Sequence, residues 1–97
     1  MNTEFVCTAE FTAKSNMIEK LIAELSKLIP LARKEPGCLR YEMHRCLENP
    51  DVVFFIERYK NKAAFDFHCA TDYVKNIVDE QIPALVEKAE FRIYSEI

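Results

Sequence analysis

The chain has 97 residues, of which 49% are hydrophobic and 30% charged. This length predicts one domain over residues 1–97, and the apolar content excludes a disordered chain. Thirteen lysines and arginines against 16 aspartates and glutamates give a formal net charge of −3, without a basic cluster. We therefore predict no nucleic-acid partner, because a phosphate backbone is bound by clustered cations.

The sequence shows no feature of a membrane or exported protein. Its longest apolar run, at residues 52–56, is far shorter than the ~20 residues that a membrane-spanning helix needs. The N-terminus lacks the basic and apolar regions of a signal peptide. A cytoplasmic protein without a membrane partner is therefore expected.

The cysteine spacing does not predict a metal site. Cys7, Cys38, Cys46 and Cys69 form no CxxC or CxxH pair, which a structural zinc site normally contains. Without an export signal, reduced thiols are the expected state. The sequence also contains no flavin or haem signature, so no cofactor is predicted.

The first half of the chain predicts a strand followed by a helix. Residues 4–11 alternate between apolar and polar positions, as a strand does. Residues 18–32 carry apolar side chains at steps of three and four, as an amphipathic helix does, and Pro30 is expected to loosen its last turns. Residues 35–37, Glu-Pro-Gly, end this helix, with the glycine available for a left-handed cap.

The second half predicts a hairpin, helical segments and a last strand. Residues 38–47 alternate between two faces, and residues 52–59 are apolar on both faces until Glu57. A proline turn between them completes the hairpin. In the first of these strands, one face is expected to carry Leu39, Tyr41 and Met43. Residues 62–70 predict a helix, a second helical region follows in two pieces interrupted by Pro83, and residues 89–97 predict a strand.

The predicted order is β-α-β-β-α-β, which is typical of the ferredoxin-like α+β fold: a four-stranded antiparallel sheet with its helices on one face. Val52, Phe54 and Ile56 then lie on the face that the helices leave open. An uncovered apolar patch of this kind marks an interface, and a two-fold dimer is its commonest cover. We therefore predict a homodimer through the open sheet face.

Two segments resemble the antibiotic biosynthesis monooxygenase domain family. They are EPGCLRYEMH at residues 35–44 and FIERYKNKAAFDFH at residues 55–68. The resemblance covers essentially the whole chain and implies a dimeric α+β barrel, often described as a quinol monooxygenase. Family members oxidise polycyclic phenols, degrade haem or isomerise small phosphorylated sugars, without a bound organic cofactor.

The haem-degrading branch of the family is not matched. Its members use an asparagine in the first strand, a tryptophan at the end of the third and a histidine in the second helical region. The corresponding places here hold Cys7, Tyr59 and Val78, and the chain has no tryptophan. This departure argues against haem degradation.

Glu57 and His68 are the predicted catalytic residues. Glu57 interrupts an apolar strand on the face turned to the helices, where a carboxylate is either paired with a partner or shifted to a raised pKa. His68 follows Phe65 by one helical turn, and the resemblance implies that it stands at the mouth of the cavity between sheet and helices. The alternative for each is a purely structural, hydrogen-bonded side chain.

Four aromatic residues are the predicted substrate contacts. Tyr41 and Tyr59 can place a hydroxyl at a substrate oxygen, and Phe55 and Phe65 can form an apolar wall for a flat ring. Plain core packing is the alternative for all four.

Three functions agree with these residues. The first is a monooxygenase that needs no cofactor and oxidises a small aromatic phenol or hydroquinone with O₂, because such a substrate reduces O₂ once it is deprotonated in an apolar pocket. The second is an isomerase that shuttles a proton, although Arg40, Arg58 and Arg92 are predicted to face away from the pocket. The third is a non-catalytic dimeric stress-response or ligand-binding module.

Overall fold

The computed structural model describes residues 3–97, which form a four-stranded antiparallel sheet with helices on one face. The strands are β1 (Phe5–Ala13), β2 (Cys38–Arg45), β3 (Val52–Tyr59) and β4 (Val86–Tyr94), in the spatial order β2-β3-β1-β4. The helices are α1 (Ile18–Ser26), α2 (Leu28–Arg33), α3 (Lys62–Ala70) and α4 (Asp72–Val74), which continues into a π-helix at Lys75–Gln81. The predicted ferredoxin-like α+β fold is confirmed.

The two faces of the sheet differ in burial, as the alternation predicts. In β3, Val53, Phe55 and Tyr59 are at most 1% exposed and face the helices. The intervening Val52 and Phe54 are half-buried on the opposite, outer face. The core therefore lies between the inner face of the sheet and the apolar stripe of α1 and α2, which contributes Leu21, Leu25, Leu28 and Ala32.

The first helical region is divided, at a different place from the one predicted. The break lies at Lys27, between α1 and α2, rather than in the last turns. Pro30 explains this position, because it has no N–H to donate to the carbonyl of Ser26 and its ring crowds that carbonyl. The backbone N–H of Lys27 bonds instead to Glu24 O, three residues back, at 3.2 Å.

Gly37 is required for a close approach and not for a left-handed cap. No glycine in the described chain has a positive φ, so the predicted cap is wrong. A Cβ at Gly37 would lie 2.3 Å from the Cβ of Ala64 in α3. The missing side chain therefore lets the loop after α2 pack directly against α3.

Strand β2 contains an irregularity that removes Leu39 from the face on which it is predicted to lie with Tyr41 and Met43. Cys38 pairs with Tyr59 and Arg40 pairs with Arg58, so the intervening residue has no partner of its own. Leu39 is 51% exposed for this reason, although Tyr41 is buried. A bulge inserts one extra residue and so moves every earlier residue to the other face.

The C-terminal elements begin earlier than predicted. Both helical pieces, α4 and the π-helix, precede Pro83, and the N–H of Ile82 closes the second piece by bonding to Ile77 O at 3.0 Å. Strand β4 covers Val86–Tyr94 rather than residues 89–97, because Tyr94 already pairs with Val6 near the start of β1. No helix among the described residues is long and apolar enough to cross a bilayer.

Strand β4 is the least covered part of the inner face. Phe91 and Ile93 pair with Ala9 and Cys7 of β1 and thus face the helix side of the sheet. They are nevertheless 56% and 48% exposed. The space over β4 is therefore open, and it leads into a cavity between the sheet and the helices.

Candidate active site

Three ionisable side chains meet at the inner face of the sheet. Within residues 3–97, the buried polar or charged residues are Glu35, Glu57 and His68, at 7%, 6% and 4% exposure. Glu35 lies in the loop between α2 and β2, Glu57 in β3 and His68 in the last turns of α3. Buried carboxylates of this kind need partners, since desolvation of an unpaired charge is costly.

Glu35 is paired with His68. The Nδ1 atom of His68 lies 2.9 Å from Oε2 and 3.1 Å from Oε1 of Glu35. The hydroxyl of Tyr73 in α4 donates a hydrogen bond to the same Oε2. Three separate elements therefore meet at the Glu35 carboxylate.

Glu57 lies on the Nε2 side of the His68 ring and is hydrogen-bonded to Tyr59. The Tyr59 hydroxyl donates to Glu57 Oε1 at 2.6 Å, and His68 Nε2 lies 3.8 Å from that oxygen. Burial raises the pKa of Glu57, although the bond from Tyr59 and the proximity of His68 act in the opposite direction. A carboxyl group with a raised pKa can exchange a proton closer to neutral pH than an exposed glutamate can.

The cluster opens on a cavity of about 290 Å³. The wall includes polar side chains from Glu57, His68, Tyr41 and Asp79, and it is otherwise mainly apolar. Its apolar residues include Ala9, Phe11, Leu25, Leu28, Phe55, Phe65, Val74, Val78 and Phe91. No lysine or arginine contributes to this wall in the described part of the chain. The cavity is therefore suited to a flat, neutral molecule with one or two polar groups.

The arginines predicted to face away form ion pairs elsewhere. Arg40 pairs with Glu42 at 2.8 Å, and Arg58 pairs with Glu4 at 2.7 Å. Arg92 lies 3.7 Å from Glu90. None of these three guanidinium groups faces the cavity.

Five of the six residues singled out in the sequence line this cavity: Glu57, His68, Tyr41, Phe55 and Phe65. The Tyr41 ring lies 5.3 Å from the His68 ring and 5.2 Å from the Phe55 ring, between centroids. Burial raises the pKa of the Tyr41 hydroxyl, which keeps it a neutral donor. Tyr59 is not part of the wall; it is fully buried, and its hydroxyl is bonded to Glu57.

Sequence reasoning missed Glu35, Tyr73 and Asp79. The sequence indicates Glu35 only as part of a helix terminator, although it opens the first family-like segment at residues 35–44. Tyr73 fits the helical stripe as one more apolar position. Asp79 lies in the π-helix, and π-helical turns occur frequently at functional sites, but no sequence pattern announces one.

Two thiols also line the cavity but are poor nucleophiles. Burial raises the pKa of Cys7 to about 12, and burial with the nearby Glu57 carboxylate raises that of Cys69 as well. The thiolate is the reactive form of cysteine, so both remain protonated near neutral pH. The described residues contain no group of three His, Cys, Asp or Glu side chains placed to hold a metal ion.

Fold and site together define a class of protein: a small ferredoxin-like domain whose sheet and helices enclose an apolar cavity with a buried histidine between two carboxylates. The family model for antibiotic biosynthesis monooxygenase matches residues 4–80 of the chain. The chain belongs to this family. The predicted resemblance to this family is thereby confirmed.

Individual solved structures agree with this fold, and one curated relative is similar in sequence. The chain is 30% identical over 89 residues to the uncharacterized protein sll1783 of Synechocystis, and the match covers 92% of this chain and 60% of that protein. The crystal structure of protein SO0527 from Shewanella oneidensis has a TM-score of 0.94 and 39% identity, over 97% of this chain and 91% of that one. PA3566 from Pseudomonas aeruginosa has a TM-score of 0.92 and 26% identity, over 100% and 97% of the two chains.

Proposed function

We propose that this protein is a monooxygenase that oxidises a small phenol or hydroquinone with O₂ and needs no added cofactor. The observation that carries the proposal is the position of Glu57 and His68, which lie 3.8 Å apart in the wall of a mainly apolar cavity. A base in a dry, shaped pocket is what this chemistry requires of a protein.

The reaction balances without an external reductant. A phenol with hydrogen on its para carbon reacts with one O₂ to give a p-quinone and one water. A hydroquinone reacts in the same way at a ring carbon that carries hydrogen beside a hydroxyl group, to give a hydroxyquinone and one water. In both cases the substrate supplies all four electrons. The phenol first loses its hydroxyl proton to the Glu57–His68 pair. The phenolate then passes one electron to O₂, and the two radicals join at the para carbon to form a peroxide.

Collapse of the peroxide completes the cycle. The peroxide takes a proton and becomes a hydroperoxide; the base then removes the proton from the para carbon, the O–O bond breaks, and a second carbonyl forms. The departing hydroxide receives a proton and leaves as water. In this scheme Tyr41 donates to a substrate oxygen, and Phe55 and Phe65 pack against the ring.

The lining and the volume of the cavity also help to separate this proposal from the isomerase and from the non-catalytic module. An isomerase for phosphorylated sugars needs cations near the phosphate, and the wall contains neither lysine nor arginine in the described residues. The non-catalytic stress-response or ligand-binding module is expected to have a small or collapsed pocket. This cavity of about 290 Å³ is open, and its volume lies just below the ~300–1,000 Å³ range of ligand sites. That volume favours substrates with one or two rings.

The test is oxygen uptake by purified protein with a panel of phenols, hydroquinones and naphthohydroquinones, in the presence of a metal chelator. Glu57→Gln and His68→Ala are assayed beside the parent protein. His44→Ala and Glu24→Gln are the matched controls, since both residues are outside the cavity wall. We expect saturable uptake above autoxidation, reduced about 10²-fold or more in either site variant and unchanged in the controls.

Two outcomes would contradict the proposal. Uptake no faster than the blank across the panel would direct attention to the isomerase or the binding module. Full activity in both site variants would mean that other residues supply the base. A naphthol and its carboxylated analogue, compared in the same assay, test the prediction that a wall without cations prefers the neutral compound.

A further inference from the structure

We infer that Glu35 is a positioning residue that acts through His68: it fixes the imidazole as the Nδ1–H tautomer and so presents an unprotonated Nε2 to the cavity. The catalytic consequence rests on the proposed function, but the tautomer itself does not. Glu35 has no place among the residues that line the cavity, so its effect must pass through the histidine.

The geometry specifies which nitrogen carries the proton. Nδ1 of His68 lies within 3.1 Å of both Glu35 oxygens, and the two side chains are each 5% exposed. An ionised carboxylate only accepts hydrogen bonds, so the nitrogen that faces it must be a donor. In a neutral imidazole the other nitrogen is then the acceptor, and Nε2 is the atom that lies toward Glu57.

The carboxylate of Glu35 is itself held in place. The Tyr73 hydroxyl donates to the oxygen that lies 2.9 Å from Nδ1. Thr71 connects the two helices involved, since its hydroxyl donates to His68 O at 2.8 Å and accepts from the N–H of Val74. The ring of His68 is therefore oriented by the loop before β2, by α3 and by α4 together.

The remaining neighbours of the ring do not compete for Nδ1. The Tyr41 and Tyr59 rings lie 5.3 Å from the His68 ring between centroids, and the Tyr59 hydroxyl is bonded to Glu57. Glu57 itself faces Nε2. A carboxylate that orients a catalytic imidazole through Nδ1 is the arrangement that makes Nε2 an effective base in hydrolases, and loss of that carboxylate there lowers kcat with little change in geometry.

The experiment is ¹⁵N NMR of the histidine rings of the parent protein and its variants, recorded at alkaline pH. The chain has two histidines, so the spectrum contains His68 and one internal control, His44, which is exposed on the outer face and lies 3.1 Å from Glu42. We expect His68 of the parent protein to show a protonated Nδ1 and an unprotonated Nε2. In Glu35→Gln the Nε2–H form should appear, and Glu35→Asp should restore the parent pattern because it keeps a carboxylate.

Kinetics supply the second measurement. Glu35→Gln keeps the size of the side chain, so we expect kcat to fall about 10- to 100-fold while KM changes by less than about threefold. Glu35→Asp should recover part of kcat. His44 signals that coincide with those of the parent show that the variants are folded.

Different results would contradict the positioning role of Glu35 and the proposed monooxygenase activity. A parent protein that oxidises no substrate but shows the Nδ1–H tautomer, lost in Glu35→Gln, supports the positioning role and overturns the monooxygenase. A parent His68 with the proton on Nε2, or an unchanged tautomer in Glu35→Gln, overturns the positioning role even when oxygen uptake is robust.

Discussion

Glu57 is deeply buried, and it is the first charged residue of a strand that is apolar on both faces up to that point. Desolvation raises its pKa above the ordinary value of 4.5, more than Tyr59 and His68 lower it. A carboxyl group with a raised pKa binds its proton more tightly in the folded state than in the unfolded state. Its contribution to stability is therefore present below the unfolded-state pKa and is lost as the pH rises through the folded-state pKa.

This linkage predicts a stability difference that grows with pH. Glu57→Gln carries a neutral amide at every pH, so its free energy of unfolding should increase relative to the parent as the pH rises above 4.5, the ordinary value for a glutamate. Urea unfolding at a series of pH values in matched salt measures the difference. Any loss of packing in the variant shifts the whole curve without changing this slope.

Glu42 supplies the control for that measurement. It lies on the outer face, and its hydrogen bonds to Arg40 and His44 lower its pKa, so its linkage has the opposite sign. A lowered pKa confines this linkage to pH values at or below the ordinary 4.5, so Glu42→Gln should stay level relative to the parent as the pH rises above that value. A difference for Glu57→Gln that is flat or falls with pH would mean that the folded protein does not favour the protonated acid.

At the scale of elements, the contact between Gly37 and α3 connects the fold to the site. Gly37→Ala places a Cβ 2.3 Å from Ala64 Cβ, and this overlap requires the loop and the helix to separate. We expect the variant to lose about 1–3 kcal/mol of unfolding free energy. Because Glu35 and His68 lie on the two elements that move apart, the His68 NMR signals should shift as well.

A double-mutant cycle isolates this contact. Ala64→Gly removes the opposing methyl group at a cost of about 1 kcal/mol for glycine in a helix. In that background Gly37→Ala should cost much less than it does in the parent. Equal costs in the two backgrounds, measured by urea unfolding, would show that the overlap with Ala64 is not the reason for glycine at this position.

The elements that sequence alone predicts well are those whose signals are local. Helix α3 has the predicted bounds, because Asn61 accepts from the N–H of Ala64 at its start and Thr71 caps the helix that follows. The faces of β3 follow from its period of two. By contrast, the limits of β4 depend on its register with β1, and the π-helix depends on packing that no local pattern records.

The same distinction holds for the site. Glu57 could be predicted because a charge in an apolar strand breaks a pattern, and His68 because it shares a helix face with Phe65. Glu35 lies in a loop, where no periodicity exists, and its partner His68 is 33 positions away. Their meeting follows from the packing of Gly37 on Ala64, which only the folded structure shows.

At the scale of the whole molecule, the helices pack on one face of the sheet and leave the outer face uncovered. Its centre is the apolar row of Val52, Phe54 and Ile56, which are half-buried within one chain. All three pair with β1, and Phe54 and Ile56 also pair with β2. Charged pairs, such as Arg40 with Glu42 and Lys88 with Glu90, lie on the flanking strands. An apolar centre with a polar rim is the anatomy of a protein interface.

We propose that two copies of the chain pack through this outer face. Light scattering at micromolar concentration should then give about twice the 11.3 kDa of one chain.

Phe54→Glu places a charge at the centre of the apolar row, opposite Glu10 of β1, and should reduce the mass to that of one chain. Phe67→Glu is the matched control, since this phenylalanine is 58% exposed on α3, on the helix side of the sheet. A monomeric mass for the parent protein, or an unchanged dimer in Phe54→Glu, would mean that another surface or no partner covers this face. A dimer lost equally in both variants would point to the helix side as the interface.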